Sequence, residues 1–599
     1  MMKHSSTTTN RPVQYAGAPG ALLPAEPKKK HRIEPTDEQK HILDVFSTGA
    51  PMVIQAGAGT GKTTTLELIA ERMAREGRRG VYITLNRAMA KDVGSAFVHG
   101  NVSTSTIHSL AWRVASRIPQ IAPLLEKINS DEPPLSRFHW HLALDIDDVF
   151  CFESFFEANR RVRGEGKSHT VLSSQSLMWA AIDALRLWCQ SDREVVTEED
   201  VERPATMPID QWRERYVPLV ISIAERAWKE DILDPNGKLP FTHDYYLKLV
   251  TLARPRITEW LGLEKGSVLF FDEAQDSRPC VTYLLSQQTD MQIVAVGDSS
   301  QAIYQFTGAR DGLPKIEKMA GANTASLTTS FRFGQDIADI ANEVLDVLDA
   351  PIRLRGNPAK RSEVVTVSTD TVPDLNTIDA ILVHTNAELL LMAELCSRTG
   401  VQYEIMADTY ELYNIGYDFD RLQADRPATR TDLRDFQTIE ELEDFISDDS
   451  ILVNAARTHT CVIAQWLLGH STAEMNDILE KGVVNGQRDE TRHTVVISTI
   501  HKSKGRQWDN VWVKIDPNQS LPFFSMRLSP RVVDGQLVDS DSRVALMMTY
   551  VALTRAKNML LLDTAFVDAL NMLPGLVGGA SLYSGSGGLD TEAMFLTPN

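Results

Sequence analysis

The sequence predicts an α/β protein built on parallel sheets, and three observations predict it. The apolar run Pro51–Ile54 leads through Gln55 into the Gly-rich turn Ala56-Gly57-Ala58-Gly59-Thr60-Gly61, and a helical pattern then runs from Lys62 to about Arg75. A second run, Gly266–Phe271, ends on the adjacent carboxylates Asp272 and Glu273. Further short apolar runs, Ile293–Val296, Ala380–Val383 and Thr494–Ile500, also end in polar residues. Brief apolar runs with polar ends, alternating with helical patterns, mark strands buried on both faces of a sheet. At 599 residues the chain is too long for one core, so several compact units are expected.

The first stretch carries chemistry. Strand, Gly-rich turn and helix form the context of a phosphate-binding loop. Gly57, Gly59 and Gly61 let the backbone wrap close to a phosphate, with Ala56, Ala58, Thr60 and Thr64 completing the loop. Lys62 can reach the β- and γ-phosphates and the Thr63 hydroxyl can bind Mg²⁺. Ala56 stands where the strict pattern has Gly, a change of one methyl. A turn that binds nothing would leave Gly-Lys-Thr in register after a strand unexplained. The loop implies ATP or a similar triphosphate and does not say what the energy drives.

Bulk composition narrows the class. Hydrophobic residues make up 43% and charged residues 24%, as in ordinary globular chains. No run approaches a membrane span, and the N-terminus lacks a signal peptide's apolar segment, so no export and no membrane partner are expected. A net charge of −19 argues against bulk affinity for nucleic acid but allows a local basic groove. The five cysteines are scattered without a C-x-x-C pair, which argues against zinc ribbons and iron–sulfur clusters and fits a reducing compartment.

In chain order, residues 1–34 have no apolar period and read as a disordered tail. Within it, Lys28–Arg32 is a basic run that reads as a solvated linker, with a DNA-contacting arm or import signal as alternatives. Thr36 or Asp37 caps a helix that carries Gln39, whose carboxamide is able to pair with adenine or to serve merely as a surface residue. Val81–Asn86 and Asn101–Ile107 read as strands, the second ending in Thr106, Ile107 and His108. From Leu110 to Leu239 the pattern is helical, and Trp112, Trp140, Trp179, Trp188, Trp212 and Trp228 read as core of an inserted unit, with base-stacking platforms as the alternative. After Asp272 and Glu273, expected to hold Mg²⁺ through water and to activate the attacking water, come Gly297-Asp298, Gln301, Tyr304, Phe306 and Gly308-Ala309, then Ser330-Phe331-Arg332-Phe333. Residues 388–489 are polar and helical, and the end from about Gly578 is Gly/Ser-rich and reads as a disordered tail.

This order of elements resembles the UvrD/Rep-type superfamily 1A DNA helicases. The stretches Thr242–Leu249 and Ser330–Gly334 resemble most the F-box DNA helicase group, although the segment before the first motif is short and polar for an F-box. The resemblance covers roughly residues 36–110, 240–386 and 490–565. It implies two RecA-like P-loop NTPase domains with parallel sheets, each carrying an inserted, mainly helical accessory domain. The first motor domain would take 35–110 and 240–335, with insertion 111–239; the second would take 336–387 and 490–577, with a short insertion 388–489; 578–599 would be a tail.

The resemblance also implies roles. Gln39 would read adenine, Phe331 would stack on it, and Gln301 and Arg332 would sense the γ-phosphate. Arg555, in Tyr550–Lys557, would be an arginine finger supplied across the cleft. Asn86, Thr106, His108, Tyr304, Phe306, Thr385, Asn386, Thr499 and His501 would meet single-stranded DNA, with Phe306 stacking on a base for ~1–3 kcal/mol. Gln507 stands where relatives carry a Glu that contacts ribose, replacing an acceptor-only group by an amide. Leu85 stands where relatives often have Phe, and Thr307 replaces a frequent Arg. The implied activity is ATP- and Mg²⁺-dependent movement 3′→5′ along single-stranded DNA and at single/double-strand junctions, in repair, recombination or replication, by a monomer or weakly self-associating chain. The implied location is cytoplasmic and nucleoid-associated, or nuclear in a eukaryote. A translocase that strips bound proteins, an ATP-gated DNA-binding module and an RNA track are the alternatives; no residue identifies a 2′-hydroxyl reader.

Overall fold

The computed structural model describes residues 34–571 except 85–89, 130–134, 152–169, 204–209, 448–454, 483–491, 515–531 and scattered single residues or pairs. Both predicted tails, the basic run, Leu85 and Asn86 lie outside the described residues. The first sheet contains β1 (Met52–Ala56), β2 (Gly80–Thr84), β3 (Val102–Thr106), β4 (Val268–Phe271), β5 (Gln292–Gly297) and β6 (Asn323–Leu327), in the order β3-β2-β4-β5-β1-β6. Every pairing is parallel; Val53, for example, lies between Ala295 and Thr324. Strands β1, β2, β4 and β5 are buried at every position, which is why they read as unbroken runs. Their order sets β4, β5 and β1 side by side. The phosphate loop, the Asp272–Glu273 pair and Asp298 therefore emerge together at the strand C-termini, where open α/β sheets place ligands.

The second sheet repeats the plan with β7 (Glu363–Val367), β8 (Ala380–Val383), β9 (Gln402–Met406), β10 (Thr494–Thr499), β11 (Trp508–Val513) and β12 (Ala556–Asp563), in the order β9-β10-β8-β11-β12-β7. All these pairings are parallel as well. Two six-stranded parallel sheets with covering helices are consistent with two RecA-like domains.

The expected second insertion starts too early. Residues 402–406 form the edge strand β9, paired with β10 from Gln402 against Thr494 to Met406 against Ser498. An edge strand is only partly buried, and Gln402-Tyr403-Glu404-Ile405-Met406 alternates rather than forming the apolar run that marks a central strand. Helices Thr409–Gln423 and Thr472–Lys481 follow, and Leu412, Ile415, Met475 and Ile478 share one core with Ile381 and Val383 of the sheet.

The first insertion is likewise continuous with its motor. Helix α4 (Ser174–Gln190) contributes Leu177, Leu185 and Trp188 to the core that holds Val53, Val81 and Leu269. Trp188 meets Trp228 edge-on at 5.0 Å, and Trp228 meets Tyr245 edge-on at 5.4 Å, so these rings serve packing. Helix α5 (His243–Ala253) supplies the fastening. Lys248 is fully buried and donates to the carbonyls of Trp188 and Ser191 at 2.9 Å and of Arg193 at 2.6 Å, closing the C-terminal end of α4. Burial lowers its pKa. Lys248→Met leaves three carbonyls without this donor, so we expect a loss of about 1–3 kcal/mol or more in denaturant unfolding.

Candidate nucleotide site and strand path

The phosphate loop joins β1 to helix α2 (Lys62–Arg75). Gly59 and Gly61 take φ of +74° and +81°, a left-handed backbone that side chains disfavour. A Cβ on Gly59 would also stand 2.6 Å from the Arg332 Cβ. Not every amide of the loop is open to a phosphate. Gly57 N–H donates to Leu327 O at 3.1 Å and Ala58 N–H to the Tyr550 hydroxyl at 3.2 Å. This narrows the expected cradle to the amides from Gly59 onward, at the positive end of α2. Ala56 ends the buried strand, Thr60 is buried with its hydroxyl bonded to Gly57 O, and Thr63 is exposed beside half-buried Thr64.

Lys62 Nζ lies 2.9 Å from Glu273 Oε1. Glu273 sits in the left-handed region at φ 51°, a strain held at the end of β4. Burial raises its pKa, but Lys62 and Lys504 outweigh that and hold it well below the usual carboxylate range. Asp272 shifts the other way, raised by burial and by the neighbouring Glu273 charge. Tyr82 donates to Asp272 Oδ2 and the Glu273 N–H to Oδ1, so each oxygen keeps acceptor capacity for a metal-bound water. This fits Mg²⁺, which is commonly held by one or two protein groups, phosphate oxygens and retained waters. Thr63 and Asp272 would hold it, and the ion would neutralise charge on the triphosphate.

Two guanidinium groups meet here, Arg332 from beside the phosphate loop and Arg555 from the second sheet's domain. Arg332 donates from Nε to Gln507 Oε1 at 2.8 Å and from Nη1 to Thr554 O. Arg555 is 1% exposed and donates to Val551 O at 2.8 Å, Arg506 O at 3.3 Å and Gln301 Oε1 at 3.4 Å. Burial lowers the pKa of Arg332 to about 10; burial and the Arg332 charge lower that of Arg555 to about 9, so both remain cationic at neutral pH. None of the ion pairs among the described residues involves either one. One buried and one half-buried cation, both bonded to neutral oxygens, constitute a site for an anion. Gln507 here orients Arg332 through its carbonyl oxygen, an arrangement its expected role at the ribose did not include.

Two residues were expected at an adenine. Phe331 is exposed at 44%, and its ring stands 3.4 Å from where a Cβ on Gly61 would lie. Gln39 differs from the expected reader. It is 2% exposed, its oxygen accepts from Thr36 N–H at 3.0 Å in the cap of helix α1 (Asp37–Phe46), and its amide donates to Thr65 at 3.2 Å. A bidentate pair with adenine needs that oxygen, so this rotamer offers at most the remaining N–H.

Residues that reasoning from sequence had not singled out tie the halves together. Tyr550, fully buried on helix α7 (Ser540–Leu553, with α6 at Asn386–Thr399), donates to Asp298 at 3.0 Å while accepting from Ala58. Lys504 pairs with Asp276 and donates to Gln301 O, and burial raises Asp276 to about 6. Gln275, 1% exposed, donates to Glu273 and accepts from Asp298 N–H. Lys504 follows His501 by three residues and Tyr550 opens the stretch that carries Arg555, yet neither had been given a role of its own. Tyr550→Phe strands the Ala58 amide and one Asp298 bond, and we expect a loss of about 1–3 kcal/mol by denaturant unfolding.

The proposed strand contacts fall into two groups. Thr106, Thr385 and Thr499 are the N-caps of helix α3 (Ile107–Ala115), of α6 and of the turn Ile500–Ser503, and their hydroxyls accept from Ser109, Glu388 and Lys502 N–H. These oxygens hold the helix starts, and Asn386 opens α6, largely buried. A phosphate contact at these points would fall to the helix-start amides rather than to the threonine hydroxyls. His108 packs edge-on to His243 and Tyr246, with its Nδ1 buried and unpartnered, and burial lowers its pKa. Tyr304 donates to His501 O at 2.9 Å beneath Lys504, and burial holds the His501 ring down to about 4. Phe306 lies in the turn Gln305–Thr307, and its side chain is outside the described residues.

Comparison with known proteins points to UvrD-like helicases. An AAA domain model matches residues 39–307, and the UvrD-like helicase C-terminal domain model matches residues 380–565. The chain is homologous to the UvrD-like DNA helicases. It is 26% identical over 577 residues to F-box DNA helicase protein 1 of Schizosaccharomyces pombe, covering 93% of this chain and 60% of the relative. It is 29% identical over 318 residues to F-box DNA helicase 1 of Gallus gallus, covering 52% and 28%. To DNA helicase IV of Escherichia coli it is 21% identical over 371 residues, covering 55% and 50%. The chain thus spans less than two thirds of each of these relatives. Among the described residues no helix is long and apolar enough to cross a membrane.

Proposed function

We propose that this UvrD-like protein is a DNA-stimulated ATPase that moves 3′→5′ along single-stranded DNA and opens duplex ahead of it. The observation that carries the reading is Arg555, which enters the first domain's nucleotide site from the second domain and meets Gln301 there. A cation delivered from one domain to a phosphate held by the other links hydrolysis to the relative position of the two. Lys62, Thr63 and Asp272 hold nucleotide and Mg²⁺, Glu273 accepts the proton of the attacking water, and Arg332 and Arg555 stabilise the charge that develops. Phe331 packs on the base. The helix starts capped by Thr106, Thr385 and Thr499, with Tyr304 and Phe306, face the strand.

The test of direction is strand displacement on matched duplexes carrying a 3′ or a 5′ single-stranded tail. We expect ATP-dependent opening of the 3′-tailed substrate and little of the other. Preference for the 5′ tail overturns the polarity. Displacement of a protein block from single strands, with neither duplex opened, selects the stripping translocase.

A further inference from the structure

The first insertion touches the motor at the turn that already joins nucleotide site and strand path. Gln190, the last residue of α4, is 5% exposed, and its Oε1 is buried with no hydrogen-bond partner. That oxygen lies against Gly308: a Cβ placed there would stand 1.8 Å from Oε1. Gly308 has φ +85° and closes the turn that begins at Gln305. An unbonded acceptor buried against a backbone is costly to keep, and apolar replacement at such a site is often neutral for folding.

The same turn meets the other parts of the molecule. Gln301, four residues before Gln305, donates to Asp298 at 2.6 Å and faces Arg555. Tyr304, in the middle, donates to His501 O of the second domain. The end of α4 is itself held to the motor: Lys248 grips the carbonyls of residues 188, 191 and 193, Lys315 pairs with Asp192 at 2.7 Å, and Arg254 pairs with Glu194. Gln190 thus sits on a fixed mount against the C-terminal end of the turn, at Gly308.

We propose that Gln190 is a positioning residue through which the first insertion sets the Tyr304–Gly308 turn, and so sets how strongly a bound DNA strand accelerates ATP hydrolysis. The proposal rests on the motor reading above. A shift of the turn gives the Gln190 oxygen a new neighbour, while the clamps keep α4 itself in place. Coupling then runs from the insertion to the strand path without Gln190 touching nucleotide.

The test is steady-state ATP hydrolysis by the full chain, with and without saturating single-stranded DNA, for the native protein and Q190L. Stimulation of the native protein checks the motor reading first; its absence refutes that reading and removes the basis of this one. With stimulation present, we expect Q190L to keep its DNA-independent rate, ATP KM and melting temperature. Its stimulated kcat should fall about five-fold, the lower range of site-to-site coupling. A Q190L protein stimulated like the native one, or losing both rates in equal proportion, overturns the proposal.

Discussion

Arg555→Ala is expected to lower DNA-stimulated ATP turnover by about 10³–10⁵-fold, the range an arginine finger contributes to phosphoryl transfer. The guanidinium is 1% exposed, is anchored to Val551 O and Arg506 O, and points one nitrogen at Gln301. Its charge meets carbonyl and carboxamide oxygens there, so its electrostatic interaction is kept for an anion entering the cleft. Because it comes from the second domain, its loss should change kcat far more than nucleotide affinity, to which Lys62 and the loop amides contribute from the first. Arg555→Lys should recover little, since an ammonium cannot hold both anchoring carbonyls and also reach Gln301 in one plane. The change also unpairs buried carbonyls at a cost of about 1–3 kcal/mol each, so a melting curve should accompany the kinetics.

Glu273→Gln is expected to lower turnover by about 10²–10⁴-fold, the contribution of a positioned general base, while ATP binds at least as tightly. In this structure Lys62 occupies Glu273 at 2.9 Å and, with Lys504, depresses its pKa despite burial. A carboxylate held that acidic is a weak base. A triphosphate on the loop draws Lys62 toward its oxygens, which removes the foremost lowering influence and returns basicity to Glu273. The amide variant keeps the shape but cannot take a proton, and its single oxygen can accept from only one of Lys62 and Gln275, which both donate to Glu273. It also removes a negative charge beside the phosphates, so equilibrium binding of a fluorescent ATP analogue should not weaken. Equal loss of binding and turnover would mean that Glu273 only supports the loop.

The two sheets were legible because strands covered on both faces are written as unbroken apolar runs, and because their C-terminal residues are chemically distinctive. The phosphate loop and Asp272–Glu273 announced themselves in that way and Arg332 and Arg555 through the stretches that carry them, and the structure brings them together. Strand β9 did not, since an edge strand has one poorly covered side and Gln402–Met406 alternates. Capping hid the use of Thr106, Thr385 and Thr499: a threonine at a strand end reads alike whether its hydroxyl faces a ligand or its own helix. Gln39 carries the same ambiguity, its oxygen being occupied here by the Thr36 amide. Tyr550, Lys248 and Gln190 depend on partners far away in sequence, and no local spacing marks such contacts.

The measurement that tests the account most directly is ATP hydrolysis by the purified chain with Mg²⁺, with and without single-stranded DNA, beside Glu273→Gln and Phe306→Ala. The account predicts strong stimulation by DNA, abolished by the first change and weakened by the second. Hydrolysis that ignores DNA, or DNA binding without hydrolysis, would contradict a DNA-driven motor and leave an ATP-gated binding protein in its place.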